Sequence, residues 1–268
     1  MRMKKNKYLI SVIIVNYNNA KYLKRSLDSV INQQYKNKEI IIVDDMSTDK
    51  SIKVLKEYKN KVKIIQNKKK TNIAAYDQMN SYYNGFVQSK GGYICFLDSD
   101  DFFKKNKLKK IINLFQYNNS LKLIFDKPFI YFDKKNFYPL KIKERNTGLT
   151  PWPRFTSQSC ISIEREYLKK IFNILKIKKS PSIWLDFRIA LQGFIDFQKL
   201  FITNNHLTYY QQSSTQATSV FKRWSLNWWK RRKEAHDFTK YLFKKNNVKK
   251  KITFDEHLTN VINLFIKK

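Results

Sequence analysis

The sequence predicts an α/β fold: a mixed, mainly parallel central sheet flanked by helices. Three observations support this prediction. Short apolar runs rich in β-branched residues recur over the first 125 positions, segments with helical apolar spacing separate them, and several runs end directly in carboxylates. Strands buried on both faces of a parallel sheet have such continuous runs, and the alternation provides the helical crossovers that parallel neighbours require.

The first element is a predicted strand at 8–16, whose sequence YLISVIIVN is apolar almost throughout. A helix is expected next, because Leu23, Leu27 and Val30 are spaced so that they fall on one helical face. The same patterns predict strands at 38–43, 62–66, 92–97 and 121–125, and helices opening at 47–49, spanning 73–89 and centred on 108–115.

The second half of the chain is less regular. A hairpin is predicted over 129–142, followed by a loop with Gly and Pro over 146–153. The elements expected after that loop are a strand at 159–163, helices at 165–172 and 183–192, short strands at 197–202 and 207–210, a polar loop at 211–219 and two helices beyond 221.

Acidic residues follow the strand predicted at 92–97. Asp98, Asp100 and Asp101 are crowded at its C-terminal end, where open α/β sheets bind their ligands. Repulsion between carboxylates is relieved by a hard cation such as Mg²⁺ or Mn²⁺, which also binds phosphates. The cluster therefore predicts a metal-bridged phosphate substrate; the alternative is that Asp100 or Asp101 caps a helix beginning near Lys104.

The amino-acid composition does not identify a binding partner. A net charge of +33, from 54 Lys+Arg against 21 Asp+Glu, is typical of proteins that bind nucleic acid or anionic membranes. However, only 5 Gly and 5 Pro accompany abundant Lys, Asn and Ile, a bias expected of an AT-rich coding sequence, so the charge identifies no partner by itself. Cys95 and Cys160 lack metal-type spacing and are predicted to be reduced core thiols.

Membrane-spanning and targeting segments are not expected. No segment approaches the roughly 18 to 20 consecutive apolar residues that a spanning helix needs. The basic stretch 1–7 leads into an apolar run that is short and better interpreted as a strand. The sequence therefore predicts a cytoplasmic protein with no exported precursor.

Two motifs give the chain a resemblance to a known family. The first is SVIIVNYNNAKYLKRSLDSVINQQYKNKEIIIVDDMSTDKS at 11–51, and GGYICFLDSDD follows at 91–101. In this order and spacing they resemble the GT-A family 2 glycosyltransferases, which are inverting enzymes that use nucleotide sugars. The resemblance is close over residues 8–127 and loose beyond, and it implies a GT-A (Rossmann-like) fold.

The resemblance also implies roles for individual residues. In the family, the acid matching Asp44 contacts the nucleotide base or ribose, and the aromatic residue matching Tyr17 lies against the base. The acids matching Asp98 and Asp100 hold the ribose and the metal-diphosphate, and Asp45 is assigned to the same donor site. The structural alternatives are helix capping for Asp45 and core packing for Tyr17.

The chain departs from the family pattern at two places. Many relatives carry an Arg-Asn pair where this chain has Tyr82 and Tyr83, so a cation for the diphosphate would come from elsewhere, with Lys69 or Lys70 as candidates. Many also have a His in a later Tyr-Arg-x-His segment, which is YQQS at 210–213 here. A third protein ligand for the metal is therefore left unassigned.

An inverting transfer needs a general base to accept the proton of the acceptor hydroxyl. In the family this base is an acid at the start of a helix in the second half, and WLDFRIA at 184–190 fits that helix, with Asp186 as its acid. The alternatives are that Asp186 pairs with Arg188 or caps the helix, with Glu164 or Asp196 as the base in its place.

These features together predict a metal-dependent inverting glycosyltransferase. It would use Mn²⁺ or Mg²⁺ and a nucleoside diphosphate sugar, with UDP-sugars favoured, to modify a surface-glycan or lipid-linked acceptor. Residues 1–215 would form the catalytic domain, with a nucleotide-sugar-binding half at 1–127 and an acceptor half at 128–215, and 216–268 would form a helical extension.

Two other functions are compatible with parts of the sequence. A nucleotidyltransferase shares the acidic metal site, but it usually has a glycine-rich phosphate loop after the first strand, and this chain has Asn16-Tyr17-Asn18-Asn19 there. A non-catalytic polyanion-binding protein would use the positive charge alone. No nucleic-acid motif is recognisable, so a nucleic-acid partner is not expected.

The segment 221–233, FKRWSLNWWKRRK, combines aromatic and basic residues. Phe221, Trp224 and Trp228 recur at helical spacing, which is typical of a helix in a membrane interface with its basic side chains near anionic lipids. Peripheral association with the inner face of the plasma membrane would bring the enzyme to a lipid-linked acceptor. The alternative is an ordinary amphipathic helix whose Trp residues pack on the catalytic domain.

Overall fold

The computed structural model describes residues 8–71, 73–142, 152–175, 180–212, 222–249 and 252–266. Most of the loop predicted at 146–153, most of the polar loop predicted at 211–219, and Phe221 lie outside the described residues. Within those ranges the chain forms one sheet of nine strands with helices on both of its faces.

The strands and helices alternate as expected over the first half of the chain. The strands are β1 (Ile10–Asn16), β2 (Lys38–Asp44), β3 (Lys63–Gln66), β4 (Tyr93–Asp98), β5 (Phe102–Phe103), β6 (Leu123–Tyr131), β7 (Phe137–Pro139), β8 (Ile161–Glu164) and β9 (Ile202–Gln211). The helices are α1 (Ala20–Ile31), α2 (Ser51–Tyr58), α3 (Ala74–Val87), α4 (Lys107–Tyr117), α5 (Arg165–Leu175), α6 (Leu185–Phe197), α7 (Leu226–Lys245) and α8 (Phe254–Ile266).

The strand order is β3-β2-β1-β4-β8-β6-β9-β5, with β7 paired to β6. The first four strands of that order are parallel to one another. β8 is antiparallel to β4 and β6, β6 and β9 are parallel, and β5 closes the edge in the antiparallel sense. The predicted fold class, a mixed and mainly parallel α/β sheet, is confirmed.

Two apolar clusters cover the two faces of the sheet. Ile13 points into the cluster formed with α3, α5, α6 and α7, and its neighbour Ile14 points into the cluster formed with α1, α2 and α4. This alternation explains the continuous apolar run of β1, because each of its residues is buried against a helix layer. Gly85 lets α3 approach β1 closely, since a Cβ at this position would lie 2.5 Å from Ile13 Cγ2.

The expected pair of short strands at 197–202 and 207–210 is wrong. Residue 197 ends helix α6, Gln198 follows with a left-handed φ of 60°, and a single strand spans Ile202–Gln211. Residues 203–205 lie at an irregularity in the pairing with β6, but Ile202 pairs with Phe125 and His206 pairs with Lys127, so one strand continues across the polar stretch. Ladder hydrogen bonds therefore override the interruption of the apolar pattern.

Helix α7 shares a core with the sheet. Phe238 and Leu242 of α7 belong to the same buried cluster as Ile189 of α6. Glu234 of α7 also accepts hydrogen bonds from the backbone N–H and the hydroxyl of Ser182. Among the residues described, no helix is both long and apolar enough to cross a membrane.

The aromatic stripe predicted within 221–233 does not form one helix face. Helix α7 begins only at Leu226, and Trp224 lies in the preceding turn with a φ of 70°. Trp229 is buried, and its ring lies 4.7 Å from that of Trp228, which Arg232 covers at 4.8 Å. Trp229 is therefore buried, Trp228 is half-buried against Trp224, Trp229 and Arg232, and Trp224 remains 59% exposed.

Candidate active site

Strands β1, β2 and β4 end together at one edge of the sheet. The register pairs Asn16 with Asp44 and Val15 with Asp98, so adjacent strands deliver polar side chains to one row. The loops that follow the carboxyl ends of parallel strands enclose a crevice. The donor-site acids predicted after β2 and β4 therefore meet at one place.

The turn after β1 is held by the turn after β2. Ser47 Oγ accepts the backbone N–H of Asn18 at 2.9 Å, and Asn18 Oδ1 accepts the backbone N–H of Thr48 at 2.7 Å. Asp49 Oδ2 accepts the N–H of Ala20 at 2.9 Å, which satisfies a backbone donor at the start of α1. The STD sequence at 47–49 therefore builds the wall of the crevice.

Asp44 is buried at the base of this wall. Its Oδ1 accepts hydrogen bonds from Asn16 Nδ2 and Ser47 Oγ, both at 2.7 Å, and its Oδ2 accepts the N–H of Ser47 at 3.0 Å. A carboxylate has about four acceptor positions. One position on Oδ2 is therefore left for a ligand.

Tyr17 extends from the first turn and is 48% exposed, so it is not a core residue. Lys70 Nζ lies 3.1 Å from the centroid of the Tyr17 ring and 3.9 Å from Asp45 Oδ2. Asp45 Oδ1 accepts a hydrogen bond from Asn67 Nδ2 at 2.8 Å. Lys70 therefore occupies the face of Tyr17 through a cation–π contact, and a base stacking there would displace it.

Asp98 ends β4 and is held by three groups. Its Oδ1 accepts hydrogen bonds from Gln78 Nε2 and from the hydroxyl of Tyr82, both at 2.8 Å, and its N–H donates to Ser159 Oγ at 2.9 Å. Gln78 and Tyr82 are four residues apart on α3, so both reach the same oxygen. Asp98 therefore has two neutral hydrogen-bond donors from α3.

Burial and neighbouring charges perturb the acids of the crevice. The pKa of Asp98 is raised to about 7, first by burial and then by the charges of Asp100 and Asp186, against the hydrogen bonds it accepts. Burial and the same acids also raise the pKa of the Tyr210 phenol. Carboxylates from both halves of the chain therefore converge on one cleft.

Asp101 and Arg25 fix the loop after β4. Asp101 is fully buried and its Oδ1 accepts the N–H of Gln211 at 2.8 Å, while the backbone oxygen of Asp100 accepts Arg25 Nη2 at 2.9 Å. Burial raises the pKa of Asp100, and the charge of Arg25 opposes this shift. Neither acid caps the next helix, because α4 begins only at Lys107.

Asp186 lies in the first turn of α6 and reaches the same cleft. Burial raises its pKa to about 6, partly offset by the N–H of Phe187, which donates to Oδ1 at 2.7 Å, and by the charge of Arg231. Arg231 belongs to α7, and its guanidinium lies 6.0 Å from the ring of Trp184. Arg188, weighed as the partner of Asp186, donates hydrogen bonds to backbone carbonyl groups.

The two substitutes for Asp186 lie elsewhere. Glu164 is in register with Tyr93 at the start of β4, so it is at the opposite end of that strand from Asp98. Asp196 lies near the C-terminal end of α6 and accepts a hydrogen bond from the hydroxyl of Tyr167. Of the three candidate bases, the structure brings Asp186 to the acids that follow β4.

The oxygen donors of the cleft suit a hard cation. Among the residues described, no group of three or more His, Cys, Asp or Glu side chains is arranged to hold a metal. A cation at Asp100 and Asp98 would therefore complete its shell with donor phosphate oxygens and water, as Mg²⁺ and Mn²⁺ commonly do. Both carboxylates are only partly buried and face the cleft, so the donor set fits.

Four residues of the cleft were not predicted from the sequence: Gln78, Tyr82 as a partner of Asp98, Tyr210 and Arg231. The departure from the family pattern noted at Tyr82 was a usable signal, because the resemblance implies that this position lies near the diphosphate. No sequence signal marked Arg231, since its place depends on how α7 packs against α6.

The curled sheet with acids at the ends of its parallel strands defines the GT-A class of glycosyltransferases. A family model described as "Glycosyl transferase family 2" matches residues 11–172. The match covers more than half of the chain, and the chain therefore belongs to this family. The resemblance seen in the motifs is confirmed, and the family favours a transferase over a nucleotidyltransferase or a polyanion-binding protein.

One relative and two solved structures show how far the similarity extends. A "Cholesterol galactosyltransferase" from Borreliella burgdorferi is 27% identical over 238 residues, covering 80% of this chain and 63% of that protein. Staphylococcus aureus TarS in complex with UDP-GlcNAc matches with a TM-score of 0.59 at 17% identity, over 85% of this chain and 66% of TarS. A mannosyltransferase from Pyrobaculum calidifontis, in complex with GDP-Man and Mn²⁺, matches with a TM-score of 0.57 at 13% identity, over 96% and 69%.

Proposed function

We propose that the protein transfers a sugar from a nucleoside diphosphate donor to an acceptor hydroxyl, with inversion at the anomeric carbon and with the help of Mn²⁺ or Mg²⁺. The observation that supports this function best is the position of Asp186. It comes from the second half of the chain, yet it lies close enough to Asp98 for its charge to raise the pKa of that residue. A base and a donor site on one cleft are what a single-displacement transfer needs.

The donor nucleotide is proposed to bind along the ends of β1, β2 and β4. Tyr17 offers a flat face to the base, Asp44 has one acceptor position left for a base N–H or a ribose hydroxyl, and Asp45 borders the same pocket. Asp98 is proposed to accept a hydrogen bond from a ribose hydroxyl. A UDP-sugar is the favoured donor; the TarS complex with UDP-GlcNAc supports this choice, and the mannosyltransferase complex with GDP-Man supports the alternative base.

Asp100, assisted by Asp98, is the proposed metal site. A cation bound there would neutralise negative charge on the departing nucleoside diphosphate. The Pyrobaculum mannosyltransferase, which was solved with Mn²⁺, supports this assignment. Arg25 contributes a fixed positive charge beside Asp100 and holds the loop that carries it.

In the proposed reaction, the acceptor oxygen forms a bond to the anomeric carbon opposite the diphosphate. The bond between that carbon and the diphosphate oxygen breaks, the acceptor proton passes to the Asp186 carboxylate, and one displacement inverts the configuration. A pKa of about 6 leaves Asp186 mostly ionised at neutral pH, while keeping it basic enough to accept the proton. Arg231 opposes the effect of burial and so maintains this ionised form.

The acceptor is proposed to be a surface glycan or a lipid-linked saccharide. The Borreliella relative, named for transfer to cholesterol, supports a lipid-linked acceptor in particular.

The proposal is tested by replacing Asp186 with Asn, which keeps the shape but removes proton acceptance. Transfer should fall by roughly 10²-fold or more, with donor affinity little changed. Asp196→Asn, on the same helix, and Glu164→Gln are matched controls, and both should retain most of the activity. Rates are measured as nucleoside diphosphate release with each of UDP-, GDP-, CDP- and dTDP-sugars, and affinities by thermal stabilisation.

Two results would contradict the assignment of the base. If Asp186→Asn lost donor binding and turnover to the same extent, the residue would belong to the nucleotide site. If Asp196→Asn or Glu164→Gln caused the larger loss, the base would be that acid instead.

A further inference from the structure

Helix α8 is attached to the protein through its polar side. Its buried residues are Glu256, Thr259 and Asn263, which form one stripe along the helix. Glu256 is paired with Lys240 at 2.8 Å, and Asn263 Nδ2 donates to the backbone oxygen of Trp229 at 3.1 Å. Ion pairs and hydrogen bonds, rather than apolar contacts, therefore hold α8 against α7.

The outer side of α8 is apolar. Phe254, Leu258, Val261 and Phe265 recur at intervals of four, three and four residues, which places them on one face. Phe254 is 74% exposed and Phe265 is 76% exposed, and the other two are more than a third exposed. This is the reverse of an ordinary surface helix, whose apolar stripe faces the core.

The same apolar surface continues onto the start of α7. Because Asn263 reaches the backbone of Trp229, the residues that follow Asn263 lie beside the first turn of α7. Trp224 and Leu226 are exposed there, and Leu264 is exposed on the facing end of α8. The exposed apolar residues of α7 and α8 therefore lie on neighbouring helices, and exposed apolar patches mark binding sites in soluble proteins.

The segment of sequence that carries this surface is strongly basic. Residues 222–268 contain 14 Lys+Arg and 4 Asp+Glu. All four acids already have partners. Three form ion pairs within the segment: Asp255 with Arg232, Glu256 with Lys240, and Asp237 with Lys233. The fourth, Glu234, accepts a hydrogen bond from Ser182 in the loop before α6. A second copy of the chain on this face would bring two such positive segments together, so charge complementarity favours an anionic partner.

We propose that the outer face of α8, together with Trp224 and Leu226, docks onto an anionic lipid bilayer. The apolar side chains enter the boundary between headgroups and acyl chains, and the surrounding Lys and Arg side chains meet the anionic headgroups. This surface differs from the one expected from the sequence, because Trp229 is buried, Trp228 is half-buried and the exposed apolar residues belong mainly to α8. Membrane docking is a property separate from the transfer reaction, and vesicle binding tests it without measuring sugar transfer.

The test is co-sedimentation of the full chain with vesicles of phosphatidylglycerol and phosphatidylcholine, compared with vesicles of phosphatidylcholine alone. Wild type should bind the anionic vesicles, and high salt should lower the bound fraction because it screens the charges. The double variant Phe254→Ser/Phe265→Ser should bind at least tenfold more weakly. The matched control is Val87→Ser/Tyr117→Ser, which removes two exposed apolar residues from α3 and α4, and it should bind like wild type.

Circular dichroism and donor hydrolysis are measured on both variants, and both should be unchanged because the four side chains are largely exposed. Equal binding by wild type and Phe254→Ser/Phe265→Ser would overturn the proposal. So would a wild type that ignores anionic vesicles at low salt. Sedimentation showing a dimer that only this variant disrupts, without vesicle binding, would assign the face to a contact between copies and also refute the proposal.

Discussion

Lys107 and Asp126 form an ion pair that is fully buried beneath the candidate active site. Their Nζ and Oδ2 atoms are 2.7 Å apart, and both side chains are inaccessible to solvent. Lys107 also donates to the backbone oxygen of Ser159 and to Thr208 Oγ1, both at 2.7 Å. Because Ser159 Oγ accepts the N–H of Asp98, the pair supports the strand end that carries the acids proposed to bind the metal.

Replacing Lys107 with Met should destabilise the protein strongly. The variant keeps most of the side-chain volume but leaves the Asp126 carboxylate buried without a counter-charge. Loss of one partner from a buried pair costs about 3–5 kcal/mol of the free energy of unfolding. The second substitution in Lys107→Met/Asp126→Leu removes the uncompensated charge, so the double variant should recover part of this loss.

Urea denaturation followed by circular dichroism measures these differences. The matched control is Lys122→Met, which breaks a pair with Glu164 of similar geometry, at 2.9 Å, but at the surface. Exposed pairs contribute about 0–1 kcal/mol, so this control should be almost neutral. If Lys107→Met lost no more stability than Lys122→Met, the argument that burial makes the pair essential would be refuted.

Two further predictions concern catalysis. Asp100→Ala should abolish turnover without changing the circular dichroism spectrum, because the side chain faces the cleft; unaltered donor hydrolysis, or full activity of wild type in excess chelator, would exclude the metal assignment. Arg231→Gln should shift the acidic limb of the pH–rate profile to higher pH than in wild type. The proposed base Asp186 accepts a proton only when it is ionised, so activity falls as the pH drops through its pKa of about 6. Without the positive charge of Arg231, that pKa is no longer lowered. Lys230→Gln, an exposed neighbour, should leave the profile unchanged.

Much of the donor half could be predicted from the sequence. The continuous apolar runs of β1, β2 and β4 required a sheet covered on both faces, and that architecture places Asp44 and Asp98 at one edge. Asp186 could be singled out as well, through the family resemblance of the helix that it begins, and its role as base stays a prediction. These conclusions depend on local patterns, which a sequence carries directly.

Other features depended on contacts between distant parts of the chain. The apolar pattern did not indicate that 202–211 is one strand, because pairing with β6 on both sides of the polar stretch decides this. Arg231 lies near Asp186 only because α7 packs on α6.

The two C-terminal helices show the same division most clearly. Their sequences determine that α7 and α8 are helices with mixed polar and apolar sides. A periodic pattern does not state which side faces inward, since that depends on the partner available. In α8 the ion pairs and hydrogen bonds with α7 draw the polar side inward, so only the tertiary structure decided that Phe254 and Phe265 face outward.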